Sequence, residues 1–95
     1  MKNYKPREGI VSTSICGVYL LIPTRAIYAF CNQVQMLPPQ WVIAWKMLQN
    51  HEPVENIVKT YEIMTKKPTD YVTEKVCFVL AALCEKGYLE EISSV

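Results

Sequence analysis

Residues 76–84 are apolar without a break: Val76, Cys77, Phe78, Val79, Leu80, Ala81, Ala82, Leu83 and Cys84. They lie in a segment with helical signals, opened near Thr69 or Asp70 and ended by Gly87. A surface helix needs one apolar stripe, whereas this one is apolar nearly all round. Val72, Val76, Val79, Leu80 and Leu83 form its broadest face, and Cys77, Phe78, Ala81 and Cys84 cover much of the remainder. A chain of 95 residues builds one modest core. Two arrangements can accommodate such a helix. Either sheet and helices bury most of it, with Ala81 and Ala82 at the wet edge, or part of the face lines a groove that a partner covers.

The preceding chain supplies the packing elements. Ile10–Ile15 is β-branched, Cys16-Gly17 interrupts it, and residues 18–22 resume strand character before Pro23. This pattern predicts a β-hairpin. A connector spans residues 24–31, and residues 32–37 form a third extended stretch. There Gln33 and Gln35 alternate with Val34 and Met36, as in a strand whose glutamine face is wetter. Pro38-Pro39 stops the strand and can open a helix. Trp41, Ala44, Trp45 and Leu48 share one helical face, and Val54, Ile57, Val58 and Tyr61 share another, with Asn50-His51-Glu52 between them. The expected order is three strands then three helices, an α+β chain read as one domain over Met1–Val95.

Catalytic chemistry is missing. There is no nucleophile elbow, no glycine-rich phosphate loop and no histidine–carboxylate pair, and the single histidine, His51, falls in a polar turn. The chain reads as a non-enzyme that needs no cofactor. The four cysteines, Cys16, Cys31, Cys77 and Cys84, contain no C-x-x-C pair, so they read as buried thiols rather than metal ligands. Glu85, Glu90 and Glu91 read as solvated charges. Net charge is +1 with no basic stripe, which argues against nucleic acid. No run is long enough to span a membrane, and the first eight residues lack the apolar stretch of a signal peptide. The location expected is cytoplasmic, with the thiols reduced.

The third strand adds to the case for a partner. A three-stranded sheet has two edges with unpaired backbone groups. If residues 32–37 form an edge beside the third helix, an extended peptide can add there as a further strand. The simpler alternative is a short edge blunted by Pro38 and Pro39.

From about residue 7 to residue 90 the chain resembles the PqqD-like proteins. These are named for the pyrroloquinoline-quinone biosynthesis chaperone and are also called RiPP recognition elements, which serve ribosomally made, modified peptides. The resemblance rests on Arg7-Glu8-Gly9-Ile10-Val11, on residues 15–23, and on Ile43-Ala44-Trp45-Lys46-Met47-Leu48. Val54-Glu55-Asn56-Ile57-Val58, and Leu80 and Leu83 followed by Gly87-Tyr88-Leu89, extend it. Two departures stand out. Pro38-Pro39-Gln40-Trp41 replaces the usual Asn-Glu-Thr-Gly, and Gln35 stands where relatives often carry isoleucine.

The resemblance implies a winged helix-turn-helix with a three-stranded antiparallel sheet. It also implies a peptide chaperone that holds the leader of a precursor peptide between third strand and third helix. The leader would be presented to a modifying enzyme, often a radical S-adenosylmethionine enzyme. Carried over by position, the peptide-binding residues are Gln33, Val34, Gln35 and Met36 on the strand and Val72, Lys75, Val76 and Val79 on the helix. Two other readings stay open: a winged-helix DNA-binding regulator, and a self-associating subunit that buries the apolar helix in a homodimer.

Overall fold

The computed structural model describes residues 2–24, 28–29 and 31–92. Part of the expected connector, residues 25–27 and 30, lies outside the described residues. The elements are β1 (Asn3–Pro6), β2 (Ile10–Ile15), β3 (Val18–Pro23), β4 (Gln35–Leu37), α1 (Pro39–Gln49), α2 (Val54–Thr65), α3 (Thr69–Glu85) and β5 (Leu89–Ile92). This is the expected α+β architecture of an antiparallel sheet followed by three helices, with one addition.

β2 and β3 pair from Ile10 with Pro23 to Ile15 with Val18, leaving Cys16 and Gly17 as a two-residue turn. Both have positive φ, 52° and 79°. That combination is the type I′ turn, whose twist matches the flanking strands. Cys16 is exposed at its tip and Cys77 and Cys84 are half-buried, so of the four thiols only Cys31 is the buried group expected; all four are free. β4 pairs with β3 over three residues, Tyr19 with Leu37, Leu20 with Met36 and Leu21 with Gln35. The sheet order is β2-β3-β4, which makes β4 an edge. The strand is shorter than residues 32–37. Gln33 stays out of the ladder, and its carbonyl accepts the Tyr88 hydroxyl.

The addition is a second antiparallel sheet made by the chain ends, with β1 on β5 and Asn3 opposite Ile92. Glu90 and Glu91 therefore face cations across two strands. Lys2 is 3.8 Å from Glu91, and Lys5 and Arg7 are 3.9 and 3.6 Å from Glu90. Those glutamates are paired rather than simply solvated, although screening keeps such exposed pairs weak.

All three helices begin immediately after a proline, and none has a side-chain cap from its own N-cap residue. The cap expected from Thr69 or Asp70 is replaced by Pro68, with Thr69 already helical. Distant residues compensate at two helices. Asn3 Oδ1 accepts the Val54 amide at 3.0 Å and so caps α2 from β1. The Tyr61 hydroxyl accepts the Ala44 amide at 3.1 Å and donates to the Gln40 carbonyl. It is thus inserted into an i to i−4 bond of the first turns of α1.

α3 ends as the sequence indicates. Gly87 has φ 93°. Its amide bonds the Cys84 carbonyl at 3.1 Å, and the Tyr88 amide bonds the Leu83 carbonyl at 3.0 Å. This is a Schellman closure. The core joins Leu21 and Leu37 of the sheet to Ala44, Trp45 and Leu48, to Val54, Ile57, Val58 and Tyr61, and to Val72, Val76, Leu80 and Leu83. Each helical face read from periodicity is the buried face, apart from half-buried Trp41 and Val79. Among the described residues no helix is long and apolar enough to cross a membrane.

Candidate functional site

The apolar run of α3 is divided by this core. Val72, Val76, Leu80 and Leu83 are buried, Val79 is half-buried, and Ala81 is exposed. Phe78 is 75% exposed and is the largest apolar side chain that α3 leaves uncovered. The alternation in the third strand is also resolved. Val34 and Met36 are 58% and 60% exposed, while Gln35 is half-buried. The expected wet glutamine face is inverted at Gln35. It shares the inner face with Leu21, its cross-strand partner, whereas Met36 and Leu20 share the outer face.

β4 and α3 flank a gap, and contacts fix its two ends. At one end Lys86, just past α3, donates to Gln35 Oε1 at 3.4 Å, and the Tyr88 hydroxyl donates to the Gln33 carbonyl. Cys31, Asn32, Gln33, Lys86 and Tyr88 line a small concavity there. At the other end β4 leads through Pro38 and Pro39 to Gln40 and Trp41. These share a larger concavity of about 540 Å³ with Tyr61, Met64, Tyr71 and the first half of α3. β4 and α3 therefore run antiparallel along the gap. Val72, Lys75, Val79 and Lys86 fall on one stripe of α3, and Lys75 and Lys86 are separated by about 16 Å of helix.

The residues expected at the site are brought together in part. Val72, Lys75, Val76 and Val79 all line the larger concavity. Val76 is 1% exposed, so it forms floor, and Val79, Lys75, Tyr71 and Phe78 form the accessible wall. Gln33 lines the small concavity. Met36 belongs to a third one, against Val18, Tyr19, Pro38 and Val42 on the hairpin side. Val34 is exposed and lines none of the three.

Residues outside the sequence reading also belong here. Trp41 packs on Tyr61 with ring centroids 5.2 Å apart. Tyr71 lies between two ammonium groups, Lys67 at 5.7 Å and Lys75 at 5.6 Å. The Tyr71–Lys75 spacing of one helical turn was a legible signal; the Trp41–Tyr61 contact was not.

Tyr88 anchors the small concavity. It is buried, and burial together with Cys31 pushes its hydroxyl up to about 12. Burial likewise raises Tyr61 above the ordinary tyrosine value, against the lowering effect of the Ala44 amide. Both hydroxyls are therefore protonated donors at neutral pH. The gap has apolar walls, cationic groups near both ends and a strand edge along one side. It suits an extended chain segment better than a small molecule, for which a single enclosed cavity is usual.

No family model matches the sequence, and comparison with curated proteins gave no match. Among solved structures the fold is similar to that of TbiB1, determined in complex with the TbiA(beta) leader peptide. The TM-score is 0.78 and the sequences are 20% identical over 95% of this chain and 99% of that one. At that identity the chain is placed by its fold: it has the architecture of TbiB1 from end to end.

Proposed function

We propose that residues 1–95 act as one non-catalytic peptide-binding domain, a chaperone for the leader of a ribosomally made precursor peptide. The leader adds to β4 as an antiparallel strand in the gap beside α3 and is presented to a modifying enzyme, such as a radical S-adenosylmethionine enzyme. The observation that carries this reading is the edge of β4, unpaired by any strand among the described residues, tied at one end to Lys86 just past α3 and leading at the other into the concavity that the first half of α3 lines. An edge strand supplies backbone bonds in any sequence context, and adjoining pockets supply selectivity. The likeness to TbiB1, determined with a leader peptide bound, supports the same use of the same fold.

On this reading the segment of Gln33, Val34, Gln35 and Met36 forms the docking edge, with its open backbone groups at Val34 and Met36. Val72 and Val76 form the floor, and Lys75 and Val79 contact the peptide. The protein works in the cytoplasm and needs no cofactor. The test is an amide NMR titration with synthetic leaders from small peptides encoded beside this gene. Shifts should concentrate at residues 32–37 and along α3. Shifts confined to other elements, or no binding by any such leader, would overturn the proposal.

A further inference from the structure

We infer that Gln35 is an internal stand-in for the incoming strand: in the free protein its side-chain amide caps the edge carbonyl that the ligand must engage. The inference rests on the strand-addition reading above and concerns how the same edge is kept closed.

Gln35 Nε2 donates to the carbonyl of its neighbour Met36 at 2.8 Å. The other end of that amide, Oε1, accepts from Lys86 Nζ at 3.4 Å. In an antiparallel ladder successive residues turn their N–H and C=O alternately toward and away from a given neighbour. The three paired residues of β4 therefore turn either Gln35 and Leu37, or Met36 alone, toward β3. The side-chain bond to Met36 favours the first arrangement, with the Met36 carbonyl on the open side. The next outward position is Pro38, which has no N–H. The carbonyl of Gln33, on the approach to the strand, is held by the buried Tyr88. Met36, with Val34 before it, is thus the short stretch of edge left for a ligand, and Gln35 already covers its acceptor.

The two carbonyl partners differ in kind. Tyr88 is buried and fixed by the Schellman closure of α3, so its bond persists. Gln35 and Lys86 meet at the surface through flexible side chains, so their contact can open. An incoming strand displaces the Gln35 amide and takes the Met36 carbonyl with its own N–H. Binding is then weakened by the fraction of molecules in which the cap is closed. The same cap shields an exposed edge from pairing with a second copy when no ligand is present, a protection that edge strands generally require.

A valine, leucine or isoleucine at this position has no amide and leaves the carbonyl open. A capped edge therefore distinguishes this chain from one with an aliphatic residue there.

The test has a peptide-free arm and a binding arm. In the free protein, the backbone carbonyl carbon of Met36 should shift upfield in Gln35→Ala and Gln35→Leu. It should shift partway in Lys86→Ala, while the remaining ladder signals hold. No change at Met36 would overturn the cap whatever the protein binds. In the binding arm, a leader that shifts residues 32–37 of the wild type should bind Gln35→Ala about twofold to tenfold tighter, the range expected when one exposed hydrogen bond no longer competes. The gain should appear mainly in the association rate. Equal or weaker binding would show that Gln35 does not compete with the strand. If no leader binds wild type or variant, the peptide-binding reading fails, and the Met36 signal still decides the cap.

Discussion

Two tyrosine hydroxyls at the margins of the gap act on backbone groups of other elements. Tyr61 sits between the Gln40 carbonyl and the Ala44 amide, and Tyr88 holds the Gln33 carbonyl. Tyr61→Phe lets α1 close its own bond, and we expect a loss of about 1 kcal/mol in urea unfolding, the net value of one such bond. Tyr88→Phe should cost on the order of 1–2 kcal/mol, because the Gln33 carbonyl loses its donor. It should also shift the amide signals of residues 32–35.

The tyrosines further predict alkaline behaviour. An unfolded tyrosine ionises near the ordinary value of 10.0, whereas folded Tyr88 keeps its proton to about 12. The folded state thus binds the proton more tightly. The stabilisation is complete below pH 10 and is lost as pH rises from there toward 12. Tyr4 and Tyr61 shift in the same direction, each chiefly through burial. Unfolding midpoints should be flat from pH 7 to 9 in this respect and fall above 10, and Tyr88→Phe should reduce the slope. An undiminished slope in that variant would assign the effect elsewhere.

At the scale of elements, α3 supplies both a packing stripe and one wall of the larger concavity. Its buried stripe was legible because Val72, Val76, Leu80 and Leu83 repeat at helical spacing. Its exposed remainder was not. Phe78 and Ala81 belong to the same uninterrupted apolar run, and composition does not say which side α1 and α2 will cover. Val79→Asp places a charge on the half-buried groove wall, and leader affinity should fall at least about tenfold if that wall contacts the peptide. Ala81→Asp, on an exposed position of the same helix, should leave affinity within about twofold, because surface changes away from contacts are near neutral. Equal effects of the two would remove α3 as the wall of the site. The strand was legible as an edge next to two prolines. Its face was not, since a Gln-Val-Gln-Met alternation reads in either orientation until the cross-strand partners Leu21 and Leu20 are known.

At the scale of the molecule, the chain ends clasp one another. β1 brings buried Tyr4, the Asn3 cap on α2 and a four-residue pairing with β5. Removing residues 1–6 should destabilise the protein by about 2–4 kcal/mol, from one buried aromatic and one lost cap. The surface ion pairs contribute little to that total. Glu90→Ala should change stability by about 0–1 kcal/mol, and the effect should shrink further in salt. The DNA-binding alternative makes a distinct global prediction: binding that weakens steeply with salt. The groove-facing stripe of α3 offers Lys75 and Lys86 among apolar residues, and the exposed remainder includes Glu74 and Glu85. We expect no gel shift even at low salt.

The sequence by itself determined the elements whose signals are local: the hairpin with its Cys16-Gly17 turn, the three helices and the Gly87 stop. Propensity and periodicity act over a few residues, so these survive without knowledge of the fold. Tertiary structure decided whatever depends on residues far apart in the chain. β1 has a weak strand sequence and forms because β5 returns beside it. α1 and α2 receive Tyr61 and Asn3 from elsewhere in the chain. The long-range packing of α3 chooses which of its apolar residues face the gap. The uninterrupted run at 76–84 thus required more cover than one stripe provides, but only the packed molecule showed that Phe78 remains in the open.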